Sequence, residues 1–140
     1  MTGSEQDSAV VLIVEDDDLQ REVLATAIQD AGYSVVEAAT GEAALEILRS
    51  NQGGIDWLYT DIRLPGVLDG WRVADEFRFG HPVRPVIYAS GYQTDGKRCV
   101  SRSRFLSKPF RPSELVAAVK ELSSQEFDEP IMFRLETPLD

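Results

Sequence analysis

Residues 56–70 read DWLYTDIRLPGVLDG. The apolar run Trp57-Leu58-Tyr59 climbs to a single carboxylate at Asp61, and a Pro65-Gly66 turn follows four residues later. A short aromatic run closed by turn residues reads as a buried strand, here Trp57–Thr60. An aspartate at the carboxyl end of such a strand faces the ligand crevice of an open α/β sheet.

Working outward, the flanking segments alternate strand and helix. Upstream, Val10–Val14 is a short, continuous, β-branched run of the kind buried on both faces. Asp17 or Asp18 caps a helix carrying Leu19, Val23, Leu24, Ala27, Ile28 and Ala31 on one stripe, and Gly32 ends it. Ser34–Ala38 is a second strand. Thr40 caps a second helix to about Asn51, and Gly53-Gly54 breaks the chain. Downstream, Asp69 or Gly70 starts a helix with Trp71, Val73, Ala74 and Phe77 on its apolar side. Val86–Ala89 and Arg104–Ser107 are strands, and Pro112 opens a last helix through Leu115, Val116, Val119 and Leu122. Strands alternating with helices on short connections predict an α/β fold with a doubly wound, five-stranded parallel sheet.

Composition bounds the function. The chain has 140 residues, 43% hydrophobic and 27% charged, as expected of one globular domain. Its longest apolar run, Ala9–Val14, is far short of the roughly 20 residues that span a membrane. No secretory signal is visible in MTGSEQDS, and the lone Cys99 suits a reducing, cytoplasmic setting. A net charge of −10 argues against nucleic acid as a partner. The charge is uneven: Lys97, Arg98, Arg102, Arg104, Lys108 and Arg111 are six of fourteen basic residues, and no acid interrupts residues 96–113. That stretch reads as a solvated basic face or as a docking patch for an acidic partner. Residues 1–8 are polar and expected to be loose; residues 9–124 form the domain. The tail 125–140 holds Phe127, Ile131, Met132, Phe133 and Leu135, and its role is left open.

In this sheet order, the loops after the first, third, fourth and fifth strands open at one edge. Glu15, Asp16, Asp61, Ser90 and Lys108 are thereby gathered around one crevice. Crowded carboxylates raise one another's pKa unless a cation intervenes. Oxygen ligands in a shallow crevice suit Mg²⁺, which keeps several waters and takes one or two carboxylates plus phosphate. An aspartyl nucleophile is established chemistry for phosphoryl transfer, which asks mainly for positioning and charge neutralisation. Each residue alone has a plainer reading: a helix cap, a turn former, a turn serine, a surface lysine. The joint arrangement carries the inference.

The stretches VLIVEDD, TDIRLPG, ASG and SKPF, with Glu15, Asp16, Asp61, Ser90 and Lys108, closely resemble the receiver domain of two-component response regulators. The resemblance covers residues 9–124 and implies a flavodoxin-like fold. It implies that Asp61 accepts a phosphoryl group from a histidine kinase or histidine phosphotransferase. It also implies that Mg²⁺ is ligated by Asp16, Asp61 and the backbone carbonyl of Arg63, with Glu15 acting through water. Ser90 and Phe105 are the implied switch residues, Lys108 the counter-charge, and Arg63 and Tyr92 the tuners of phosphate lifetime. Beyond its own phosphorylation and dephosphorylation, no enzyme activity is implied.

Three departures stand out. Phe105 lacks the hydroxyl of the tyrosine common at its position. The segment between Ser90 and Lys108, YQTDGKRCVSRSR within it, is short and unpatterned, so the fourth of the family's five helices is expected to be stunted or disordered. Only the 16-residue tail is read after the domain, so the chain is expected to resemble most the single-domain regulators that bind a partner or pass phosphate on. The alternatives are a phosphate sink for a kinase, a docking module independent of phosphorylation, and an aspartyl phosphohydrolase. The last wants Asp-x-Asp after the first strand, whereas Glu15-Asp16-Asp17 offers Glu-x-Asp. His81, in a Gly-His-Pro loop, reads as a loop residue remote from the crevice.

Overall fold

The computed structural model describes residues 9–50, 54–92 and 98–124. The expectations for residues 1–8, Gly53 and 125–140 lie outside them. Five strands, β1 (Val10–Val14), β2 (Ser34–Ala38), β3 (Trp57–Asp61), β4 (Val86–Ser90) and β5 (Ser103–Ser107), form one sheet. Its order is β2-β1-β3-β4-β5, every neighbouring pair parallel. Four helices cover it: α1 (Asp18–Asp30), α2 (Gly41–Ser50), α3 (Gly70–Gly80) and α4 (Pro112–Ser124). Strands β3 and β4 run one residue further than the sequence suggests, so Asp61 and Ser90 belong to the sheet itself.

The strand pleat splits the core in two. Val11 and Ile13 of β1 pack with Tyr59, Ile87, Leu24, Ile28, Leu115 and Val119 on the α1/α4 face. Leu12 and Val14 point the other way, to Leu58, Val86, Tyr88, Ala44, Val73 and Phe77 on the α2/α3 face. All four β1 residues are at most 1% exposed. Burying each contributes roughly 1.5–3 kcal/mol, an upper figure because unfolded chains already bury some of that surface. This double burial is why the sequence reads as continuous apolar runs, and it fixes where the strand ends lie.

Helix starts are set by the side chains the sequence points to. Asp17 Oδ1 accepts from the Gln20 N–H at 2.9 Å, Thr40 Oγ1 from Ala43 at 3.0 Å, and Asp69 Oδ1 from Arg72 at 3.0 Å. At α4, Glu114 Oε1 accepts from the Arg111 N–H at 2.9 Å, the returning half of a capping box.

No helix lies between β4 and β5 among the described residues; residues 93–97 fall outside them. Residues 98–102 form a strap against the sheet instead. The Val100 N–H donates to Tyr88 Oη at 3.1 Å, and Cys99 and Val100 pack against the α2/α3-face core. Arg78 Nη1 donates to the Ser101 carbonyl at 2.7 Å and Arg102 Nη2 to the Leu122 carbonyl at 3.3 Å. Arg104 pairs with Glu121 at 2.9 Å, and the Arg98 guanidinium lies over the Trp71 ring at 5.1 Å. Much of the basic stretch is therefore spent inside the molecule; Arg111 stays exposed and Lys97 is not described.

Gly70 marks the tightest joint between fold and crevice. A Cβ there would stand 2.0 Å from the Asp61 carbonyl oxygen and 2.8 Å from Ile62 Cα, both backbone atoms that cannot turn aside. Gly80, at the other end of α3, has nothing within 4 Å of such an atom. Gly70→Ala is expected to cost more than about 2 kcal/mol in urea unfolding, whereas Gly80→Ala changes stability by less than about 1 kcal/mol.

Candidate functional site

The carboxyl ends of the strands carry the chemistry. Asp61 ends β3 and is 4% exposed. Glu15, directly after β1, is 1% exposed, and its N–H donates to the Ala38 carbonyl at 3.1 Å. Asp16 follows on the surface. One carboxylate oxygen from each of Glu15, Asp16 and Asp61 lies within 4.8 Å of the others. Lys108, after β5, reaches back so that Nζ is 2.6 Å from Asp61 Oδ1 and 3.1 Å from Glu15 Oε1. Its own N–H donates to the Ser90 carbonyl at 2.8 Å, tying the ends of β4 and β5 together. The Lys108-Pro109 peptide is cis.

Beneath the acids, the buried Tyr59 hydroxyl lies 3.5 Å from Glu15 Oε1. Burial first, then the carboxylates of Asp61 and Glu15, pushes the Tyr59 pKa up, so it stays a neutral phenol. Arg21 Nη1 donates to the Glu15 carbonyl at 2.8 Å and fixes the turn after β1. On the open side, Asp16, Asp61, Arg63, Ala89, Ser90, Gly91, Tyr92 and Lys108 line a crevice of ≈ 260 Å³. Ser90 Oγ accepts from the Tyr92 N–H at 3.0 Å. The Arg63 guanidinium lies 4.3 Å from the centre of the Tyr92 ring, a cation–π pair across the mouth of the crevice.

The loop after Asp61 is clamped to α2. Glu42 Oε2 accepts from the Val67 N–H at 3.1 Å, and Gly66, at φ +89°, lets the turn pass the Glu42 carboxylate. Gly41 sits against the Leu68 carbonyl, where a Cβ would come within 2.6 Å. The sequence reading missed this clamp; its signal was Pro65-Gly66 in the loop and Gly41-Glu42 opening a helix.

Electrostatics set the state of the site. Burial, and next the adjoining Glu15, push Asp61 up to about 8, against the lowering effect of Lys108. For Lys108, burial works to lower its pKa, but the adjoining carboxylates of Asp61 and Glu15 outweigh it and leave it raised. The Lys108–Asp61 approach is a charge contact without hydrogen-bond alignment, so the buried Asp61 Oδ1 has no hydrogen-bond donor. A buried carboxylate oxygen lacking a donor, facing two further carboxylates, is what an oxygen-seeking cation satisfies. The residues fit Mg²⁺.

All the expected site residues but one gather at this edge. Phe105 lies in mid-β5, opposite Tyr88 in the register, half-buried against the α2/α3-face core. His81 closes α3 at the far end, its ring 5.3 Å from that of Phe77.

Fold and site together define an open, doubly wound α/β domain with an acidic crevice at the carboxyl edge of its parallel sheet. A family model for the response regulator receiver domain matches residues 11–120, and the chain belongs to that family. It is 37% identical over 123 residues to the sensor kinase CckA of Brucella abortus, covering 85% of this chain and 13% of the kinase. Its fold is similar to a response regulator receiver protein from Sinorhizobium medicae, with TM-score 0.81 and 31% identity, covering 86% of this chain and 98% of that one. It is also similar to the response regulator TrrA of Thermotoga maritima, solved in complex with Mg²⁺ and BeF, with TM-score 0.68 and 31% identity, covering 81% and 98%. The chain spans 13–28% of the length of the first curated relatives it matches. No helix among the described residues is long and apolar enough to cross a membrane.

The raised Asp61 gives a sign to stability. A carboxyl whose pKa rises on folding takes stability away as pH climbs from its unfolded value, near 4, to its folded value, about 8. Asp61→Asn removes that loss. Without divalent cation at pH 8 the variant should gain on the order of 1–3 kcal/mol, several degrees in Tm. Added Mg²⁺ should then raise the Tm of wild type more than that of the variant. Thermal melts in EDTA and in Mg²⁺ test this, and a wild type that melts higher in EDTA would contradict it.

Proposed function

We propose that this chain is a phosphoacceptor switch, taking a phosphoryl group onto Asp61 from a histidine kinase or histidine phosphotransferase. The observation that carries the reading is the three clustered carboxylates with the Lys108 ammonium 2.6 Å from Asp61. In the transfer, a carboxylate oxygen of Asp61 bonds to phosphorus while the phosphorus–nitrogen bond of the donor histidine breaks, its electron pair leaving on the imidazole. Asp61 must be ionised to attack, and Lys108 favours that form. Glu15, Asp16, Asp61 and the Arg63 backbone carbonyl would hold Mg²⁺. When bound, Mg²⁺ neutralises charge on the transferring phosphoryl oxygens and competes with the proton on Asp61.

Lys108 supplies the counter-charge to the phosphoryl group from the protein side, and the Ser90 hydroxyl, whose oxygen accepts from the Tyr92 N–H, keeps its O–H as a further donor. Donation of that O–H to the phosphoryl group would draw the β4 end inward, and Phe105 would repack behind it. A partner that binds one of the two arrangements preferentially then reads the state of Asp61. Beyond its own phosphorylation and dephosphorylation the chain turns over no substrate in this reading. Its setting is the cytoplasm, which the single cysteine suits.

Intact-mass measurement after incubation with acetyl phosphate and Mg²⁺ tests the proposal. One acid-stable, base-labile phosphoryl group is expected on wild type and none on Asp61→Asn; uptake by a folded Asp61→Asn protein would refute the assignment. Lys108→Ala should keep Mg²⁺ binding largely intact yet lose the partner preference that phosphorylation creates.

The stacked Arg63–Tyr92 pair stands between the crevice and bulk water. Its members act on phosphate lifetime as one unit in this reading. Arg63→Ala and Tyr92→Ala should each change the dephosphorylation rate by about 3- to 10-fold, in the same direction. The double variant should differ little from either single one; strictly multiplicative effects would show that the two side chains act separately.

A further inference from the structure

The edge of the molecule remote from Asp61 carries a second feature. Helix α3 begins against the Asp61 carbonyl and runs away from it for 11 residues, about 15 Å. At its far end Phe79 is 88% exposed, the most exposed aromatic side chain among the described residues, and Val83 four residues on is 65% exposed. Beside Phe79 lies a groove of ≈ 340 Å³ between α2 and α3, floored by Leu45, Leu48 and Phe77. An exposed ring next to an apolar hollow that it does not fill is a knob beside its hole. A surface carrying both is self-complementary, which is the requirement of a two-fold interface.

The charges around the groove have the same property. Arg49 lines it, and Glu46 lies one turn earlier on the same side of α2. Both are exposed, and neither side chain has an ion-pair partner among the described residues. Across a two-fold axis with the α2 helices antiparallel, Arg49 of each copy meets Glu46 of the other, giving two pairs at once.

We propose that this groove is the interface of a weak two-fold dimer of the chain, Phe79 of each copy filling the groove of the other. The inference is independent of the phosphoryl reading, since the interface and the Asp61 crevice lie at opposite edges. Two aromatic rings bury roughly 150–250 Å² each. With the groove lining that falls short of the 1,200–2,000 Å² of a stable complex, which puts the association in the weak, transient range.

Sedimentation equilibrium of the full chain, from about 10 µM to about 1 mM, covers that range. The weight-average mass of wild type should climb from monomer towards dimer, equally in Asp61→Asn. Phe79→Ser, a change at an exposed site that leaves the core alone, should weaken association at least about tenfold. Glu46→Arg should weaken it too, and Glu46→Arg with Arg49→Glu should restore it. A wild type that stays monomeric, or a dimer indifferent to Phe79→Ser, would overturn the proposal. So would a monomer whose groove resonances shift on Phe127→Ser with Phe133→Ser, which would assign the groove to the chain's own C-terminal segment.

Discussion

Glu15 and Asp61 are two buried carboxylates sharing one ammonium, with a third carboxylate, Asp16, at the surface beside them. Burying a charge costs several kcal/mol unless it is paired and hydrogen-bonded, and Lys108 offsets only part of that. Three carboxylates and one ammonium, all ionised, leave two negative charges at the end of a parallel sheet. The molecule relieves this in one way by holding a proton on Asp61 well above the usual carboxylate range. A dication relieves it in another. Competition between proton and cation for the same oxygen follows directly from the crowding, and makes the ionised Asp61 carboxylate most populated when the cation is present.

The crowding persists because the frame beneath it is rigid. β1 and β3 are buried on both faces, so neither can slide to separate Glu15 from Asp61 without exposing core. Behind Asp61, Gly70 brings α3 onto the strand's last carbonyl, and the Gly70 N–H donates to the Ile62 carbonyl at 2.8 Å. To one side, the Glu42 carboxylate holds the loop by the Val67 N–H. Each contact spends a polar group or a glycine on position rather than on stability. The carboxylates are thereby held in one geometry by the frame itself.

The strands, the helix caps and the gathering of five charged or polar residues at one edge were legible in the sequence. Each rests on a short-range signal: an apolar run, a cap three residues before the N–H it accepts, a carboxylate or lysine directly after a strand. Less legible was whatever depends on long polar side chains crossing the fold. Arg78 is 9% exposed, near the end of α3, and its guanidinium holds the Ser101 carbonyl 23 residues away; the sequence shows only one more charge in a helix. Arg102, at φ 54°, reads as part of a basic run but is committed to the end of α4. The lack of periodicity after Ser90 agrees with the absence of a helix between β4 and β5 among the described residues. It carried no hint of the strap, because a strap fastened by arginines and a tyrosine hydroxyl has no period.

The strap changes what β5 is. β5 is an edge strand, half-buried along most of its length, while β3 and β4 are buried throughout. Cys99 and Val100 pack on the same α2/α3-face core as its Phe105. Its position is set at the far end by Arg102 and Arg104 reaching α4, and at the crevice end by the Lys108 N–H on the Ser90 carbonyl. Lys108, the only basic side chain within reach of Asp61 among the described residues, is thus carried on one of the sheet's two least buried strands. A change of charge at Asp61 acts first on Lys108. Through it the change acts on a strand that is half-buried rather than enclosed, where local rearrangement costs less than in β3 or β4. A crevice held by fully buried β3 and bordered by half-buried β5 therefore has one side that resists displacement more than the other.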